Sequence, residues 1–283
     1  MHLYNRLFPC RALPLAAALL FMAALGGAAE KPLWEAGIGV AALSMPAYRG
    51  SDKVYNLALP VPYFVYHGEF LKADRQGIRG SLFESDKLDL TLSLSASPPG
   101  KSDDLNVRTG MPDLKPTVEF GPQIDYTFWR SASHARFIKL RLPLRAAFTA
   151  ERSPQEIGWI FSPNVNMDIT DISGFPGWNL GMLAGPIYAS RKQHQYFYGV
   201  ERQYATASRP AYAAKGGYSG AQFLASLSKR FDHTWAGAYL RCDSLRGTAF
   251  ENSPLLAQRS YLTFGVAISW ILGESNFRVE ADD

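Results

Sequence analysis

Residues 88–96 read Leu-Asp-Leu-Thr-Leu-Ser-Leu-Ser-Ala, apolar at every even position and small polar or acidic at every odd one. Successive side chains of an extended strand point to opposite faces, so this stretch makes a strand with one greasy and one hydrophilic side. One such strand fits a half-buried sheet. It also fits a wall with hydrocarbon outside and water inside, because about nine tilted residues cross a bilayer core. Repetition along the chain favours the second reading.

Val118, Phe120, Ile124, Tyr126 and Phe128 share a face opposite Thr117, Glu119, Gln123, Asp125 and Thr127. Ile138, Leu140, Leu142 and Leu144 alternate with Lys139, Arg141, Pro143 and Arg145. Three cations opposite four aliphatics make sense if the charged face lines a wet lumen, so Lys139, Arg141 and Arg145 are the candidate lumen-facing basic residues. Val165, Met167 and Ile169 repeat the pattern, as do Phe223 to Leu227 at odd positions and Leu262 to Trp270 at even ones. Less regular strand-like segments cover 34–43, 54–66, 70–83, 178–190 and 235–245, with turn clusters between them. About eleven segments result, and 195–212 offers room for another. Single-chain bacterial barrels use an even strand number, so the expectation is an all-β, antiparallel transmembrane barrel of about twelve strands, with ten the next choice. Pro60, Pro62, Pro122, Pro143 and Pro186 fall inside strands, where a ladder hydrogen bond is lost; bulges or local breaks are expected there.

Arg6 and Arg11, an apolar stretch over 12–25 and the small residues Gly27-Ala28-Ala29 read as an export signal cleaved after Ala29, leaving one barrel domain over 30–283. Beyond it no run approaches the roughly eighteen apolar residues of a membrane helix, and in lipid only helices and closed barrels satisfy their backbone groups. Aromatic residues at 13% suit interfacial girdles, and charged residues amount to only 19%. Without the leader, 27 basic residues face 25 acidic ones, which does not favour nucleic acid. Cys242 is then the only cysteine.

Little in the chain points to catalysis. His67, His134, His194 and His233 stand in no metal-binding spacing, and neither a dinucleotide fingerprint nor a Gly-x-Ser-x-Gly turn is complete. Ser133 beside His134 or Ser228 near His233 could be forced into the role of a barrel hydrolase's pair, but they read as ordinary loop and strand-end residues. The sequence therefore predicts a non-enzymatic protein without metal or cofactor.

Several blocks carry a resemblance. Pro46 to Asp52 (PAYRGSD), Pro60-Val61-Pro62-Tyr63, the run ADRQGIRG from Ala73, the run GMPDLKPTVE from Gly110, Arg209-Pro210-Ala211-Tyr212, Gly216-Gly217-Tyr218 and FENSPL from Phe250 resemble the MipA/OmpV family of outer-membrane proteins. The resemblance implies location in the outer membrane of a Gram-negative cell. It further implies a scaffold that brings a periplasmic lytic transglycosylase, a murein hydrolase, together with a penicillin-binding protein, a murein synthase, during peptidoglycan assembly. Other members are discussed as surface antigens or adhesins, and no catalytic residues carry over. A channel or adhesin is the alternative, and a lipid-modifying barrel enzyme a further one. Cys242 stands where an aromatic is expected.

Counting 34–43, 54–66, 70–83 and 88–96 as four crossings from the periplasm returns the chain to that side. The segment 97–115 would then be a long periplasmic loop, with Arg108, Gly110, Met111, Pro112, Asp113 and Leu114 as the candidate partner-docking residues.

Overall fold

The structure is a computed structural model that describes residues 30–67, 71–74, 77–85, 87–133 and 135–280. The expected leader and His134 lie outside them. Alternating segments become β2 (Trp34–Pro46), β3 (Val54–His67), β4 (Leu71–Asp74), β5 (Gly77–Glu84), β6 (Leu88–Ser97), β7 (Thr117–Arg130) and β8 (Arg136–Thr149). They continue as β9 (Glu156–Phe161), β10 (Asn164–Ile169), β11 (Trp178–Ala189), β12 (Gly217–Arg230), β13 (Thr234–Ser244) and β14 (Ser260–Glu274). Short β1 (Glu30–Pro32) and β15 (Arg278–Glu280) pair with each other, tying the termini of the described chain together beyond the wall.

The sheet is antiparallel throughout and closes on itself. β14 pairs with β2 at one join, and at the other β11 pairs with both β9 and β10. β9 and β10 lie end to end along β8, which meets β10 over 136–141 and β9 over 144–148. They occupy one wall position, so the thirteen strands of the sheet make twelve positions among the described residues.

Prolines explain where the ladders break. Pro163 stands in the gap between β9 and β10, the β11–β12 register shifts just after Pro186, and the β7–β8 ladder skips between Gln123↔Pro143 and Phe120↔Ala146. Pro60 and Pro62 have a different solution. Among the described residues β3 ladders with β4 only at Tyr66↔Ala73 and His67↔Lys72, so residues 54–65 have β2 as their sole ladder neighbour. On such an edge a missing N–H is tolerated.

Register carries the two-faced pattern round the ring. Leu88, Leu92, Leu94, Val118, Phe120, Ile124, Leu144, Val165, Phe223, Leu262, Phe264 and Val266 are all exposed on the outside, Leu94 at 52%. Exterior aromatics gather at the two ends: Trp34, Phe64, Phe128, Trp129, Phe231 and Trp270 near the termini, and Phe120, Trp159, Tyr188 and Phe264 towards the other end. That is the girdle arrangement of a membrane barrel. Thr91, Glu119, Asp125, Thr127, Lys139, Asn164, Asn166, Asp243, Thr263 and Ser269 are buried on the inner face.

The expected four-crossing count fails at 70–83, which is β4 and β5 running in opposite directions. β6 therefore runs the same way as β2, and 98–116 lies at the end away from the termini. There it meets 47–53, 190–216 and 245–259. Among the described residues the other end carries the connections 170–177 and 231–233 and no segment as long as 98–116, 190–216 or 245–259 of the cap. The region 195–212 forms no strand; 191–198 is a helix, α1 (Arg191–Tyr198), which Ser190 caps by accepting from the Gln193 N–H.

The long segments pack into a cap with its own core: Ala47, Tyr48, Leu105, Leu114, Tyr198, Leu245 and Phe250. Phe250 stacks on Tyr198 with ring centroids 3.7 Å apart, and Tyr198 Oη donates to the Arg49 carbonyl at 2.7 Å. Gly50 makes the turn at φ +89°, where a Cβ would lie 2.4 Å from Leu256 Cδ1. Only glycine fits both the left-handed backbone and that contact.

Candidate functional site

The interior is built from the same alternation, read on its polar side. On β8, Arg145 Nε donates to Glu119 Oε2 of β7 at 3.1 Å, while its two terminal nitrogens reach Ser93 Oγ of β6 and Ser162 Oγ. Lys139 lies 3.5 Å from Asp89, and Arg141 lies 3.9 Å from both Asp125 and Asp168. Each of the three basic residues thus faces an acid from another strand: Glu119 and Asp125 of adjacent β7, Asp168 of adjacent β10, and Asp89 of β6 one strand further on. The wall is charge-compensated, not the basic, anion-preferring lining that β8 by itself would suggest.

A second polar cluster joins the wall to the cap. Asp243 of β13 is wholly buried and receives two guanidinium groups. Arg241 Nε and one terminal nitrogen approach it at 2.6 and 3.0 Å, and Arg49, coming from the cap, at 3.2 and 3.3 Å. Arg49 also donates to Tyr261 Oη and to Ser219 Oγ. An uncompensated buried carboxylate is strongly unfavourable, so Asp243 and its two partners pin the cap to the barrel.

Between this cluster, the Arg145–Glu119 pair and α1 lies a cavity of about 410 Å³. Its cap side is formed by Tyr48, Gln193, His194 and Tyr198 and its wall side by Ser95, Ser162, Gln222 and Tyr239. His194 is 1% exposed, its Nδ1 lies 2.6 Å from the Lys215 carbonyl, and its ring meets Phe250 edge-on at 4.7 Å. Burial pushes the imidazole below its ordinary value, because the charged form loses its hydration. A second, smaller cavity, about 200 Å³, lies deeper along β12, β13, β14 and β2 and shares Tyr239 with the first.

The candidate docking residues are divided by the structure. Arg108 and Leu114 are both 3% exposed and belong to the cap. Arg108 donates to the Ser102 hydroxyl and to the Phe197 and Pro112 carbonyls, and Leu114 pairs through its backbone with Gly100. Gly110, Pro112 and Asp113 are exposed and Met111 half-buried, with the Asp113 carboxylate accepting from the Ser102 N–H. Of the serine–histidine pairs, Ser228 is on an inner-face position of β12 and His233 is an exposed turn residue; Ser133–His134 falls partly outside the described residues. Among the described residues no group of histidines, cysteines and carboxylates has the arrangement of a metal site. Sequence reading missed α1 and its Gln193 and His194, although Ser190 followed three residues later by Gln193 is a helix-capping signal.

A closed antiparallel ring, greasy outside and ion-paired within, girdled by aromatics and short-turned at the end carrying its termini, defines an outer-membrane β-barrel protein. Comparisons agree. The sequence pattern of the family described as "MltA-interacting protein MipA" matches residues 38–272, from β2 to β14. The chain belongs to that family. It is 25% identical to outer membrane protein OmpV of Vibrio cholerae over 243 residues, covering 84% of this chain and 86% of OmpV. It is 26% identical to outer membrane protein Omp26La of Vibrio anguillarum, with the same coverage. Among solved structures, a bacterial polysaccharide outer membrane secretin aligns with 84% of this chain and 99% of its own at 8% identity and a TM-score of 0.40.

Proposed function

We propose that this protein is a non-enzymatic outer-membrane barrel that holds a lytic transglycosylase, and with it a penicillin-binding protein, at the inner surface of the membrane during peptidoglycan assembly. The observation that carries the reading is the match, over nearly the whole barrel, to a family described by its interaction with MltA. The interior supports a scaffold over an open channel: Lys139, Arg141 and Arg145 on β8 are each held by an acid, and four segments pack over one end.

Barrels of this kind keep their short turns on the periplasmic side. That rule directs the termini end inward and the cap outward. Docking of periplasmic enzymes is therefore assigned to the turns 85–87, 131–135, 170–177 and 231–233, and the loop carrying Gly110 to Asp113 is an outward surface. Pull-down of the solubilised barrel should recover a murein hydrolase, a murein synthase or both; recovery of neither above an unrelated barrel control would sink the scaffold reading. Orientation has its own test. A cysteine at Asn106 should react with an impermeant reagent on intact cells, and protection there with reaction only after the outer membrane is opened would reverse the assignment.

A further inference from the structure

The cavity under the cap has a chemistry that the scaffold reading does not use. Two adjacent side chains of α1 that line it, Gln193 at 7% exposure and His194 at 1%, keep Oε1 and Nε2 without a hydrogen-bond partner among the described residues. Unpaired polar atoms at such depth are unfavourable, so they imply a ligand or ordered water. The Lys215 carbonyl opposite Nδ1 can only accept, which puts the ring hydrogen on Nδ1 and leaves Nε2 as an acceptor. Both open positions therefore ask for donors.

The opposite side of the cavity asks for an anion. Arg49 and Arg241 share one carboxylate, Asp243, while Arg145 is balanced by Glu119. One positive charge is left over at a place where guanidinium groups line the space. A positive surplus disfavours an ammonium group as the donor to His194 and Gln193, whereas a hydroxyl can donate without adding charge. The volume falls within the range of small-molecule pockets.

We propose that the cavity beneath the cap binds a small hydroxylated monocarboxylate of sugar-acid type, its carboxylate on the Arg49–Arg241 side and its hydroxyls donating to His194 Nε2 and Gln193 Oε1. This does not depend on any protein partner, and its failure would leave the scaffold reading untouched.

Titration of the purified full-length barrel in detergent with glucuronate, glucose and acetate tests it. Glucuronate should bind saturably and at least tenfold more tightly than either control, since glucose lacks the charge and acetate the donors. Gln193→Glu places a carboxylate in the cavity and should weaken glucuronate at least tenfold, and His194→Leu should do the same. Heat-dependent gel mobility reports whether each variant is folded, and if His194→Leu is not, Gln193→Glu decides. Absence of saturable binding, equal affinity for glucose or acetate, or unchanged affinity in a folded Gln193→Glu variant would overturn the proposal. So would a crystal structure grown with glucuronate that shows only water on His194 Nε2.

Discussion

The two ends of this barrel solve the problem of closing a cylinder in opposite ways. At the end carrying the termini, turns of a few residues are held by partly exposed ion pairs: Arg230 bridges Glu35 at 3.0 Å and Glu274 at 3.4 Å, and Arg278 also reaches Glu274. At the other end, four long segments build a second hydrophobic core and lock it to the wall through the buried Asp243. The difference teaches that strand pairing sets the ring, whereas the cap is held by a hydrophobic core of its own and joined to the barrel at a few named contacts.

That contrast can be broken most strongly at Phe250, which is wholly buried against Tyr198 and His194. Phe250→Ala should cost about 3–5 kcal/mol, the range for a truncated core aromatic. Hydrogen exchange should show the loss in 190–216 and 245–259, with the strands still protected. Asp243→Asn comes next. It leaves Arg49 and Arg241 without their carboxylate, an effect on the order of 3 kcal/mol. Protease cleavage within the cap should rise as the Arg49 tether slackens.

Much of the exterior was legible in the sequence, because lipid demands an apolar residue at every second position and tolerates few exceptions. Leu88 to Leu94 and Leu262 to Trp270 show it strand by strand. The interior was legible only as polarity. Which acid meets which base depends on register between strands far apart in the chain, so Arg145 meeting Ser93 as well as Glu119 is invisible from β8 alone. The division of 70–83 into β4 and β5 had a signal, the polar cluster before Gly77, that continuous strand character on either side obscured. The cap was least legible. Its segments are held by contacts such as Arg209 to the Val107 and Thr109 carbonyls, about a hundred residues apart, which follow no local period.

A smaller effect separates the ends by pH. The His194 imidazole titrates below the ordinary 6.5 because the cap buries it. The unfolded chain then binds the proton more readily, so cap stability is fully present above about 6.5 and is lost as pH falls below that value. Corrected for the intrinsic exchange rate, the protection of α1 amides should fall between pH 7 and 5 while that of strand amides holds, and His194→Asn should remove the difference. The smallest effect belongs to the turn end. Glu274→Gln breaks two partly exposed ion pairs and should change stability by only about 0.2–1 kcal/mol, and less at high salt.

The central claim is that alternate residues of each wall strand face hydrocarbon and interior. Nitroxide labels on single cysteines at Leu92 and Ser93 of β6, in the barrel reconstituted into lipid bilayers, test it most directly. The account predicts that the label at 92 is relaxed by lipid-dissolved oxygen and shielded from a water-soluble nickel chelate, with much weaker oxygen access at 93. Equal access at both positions, or the reverse order, would contradict it.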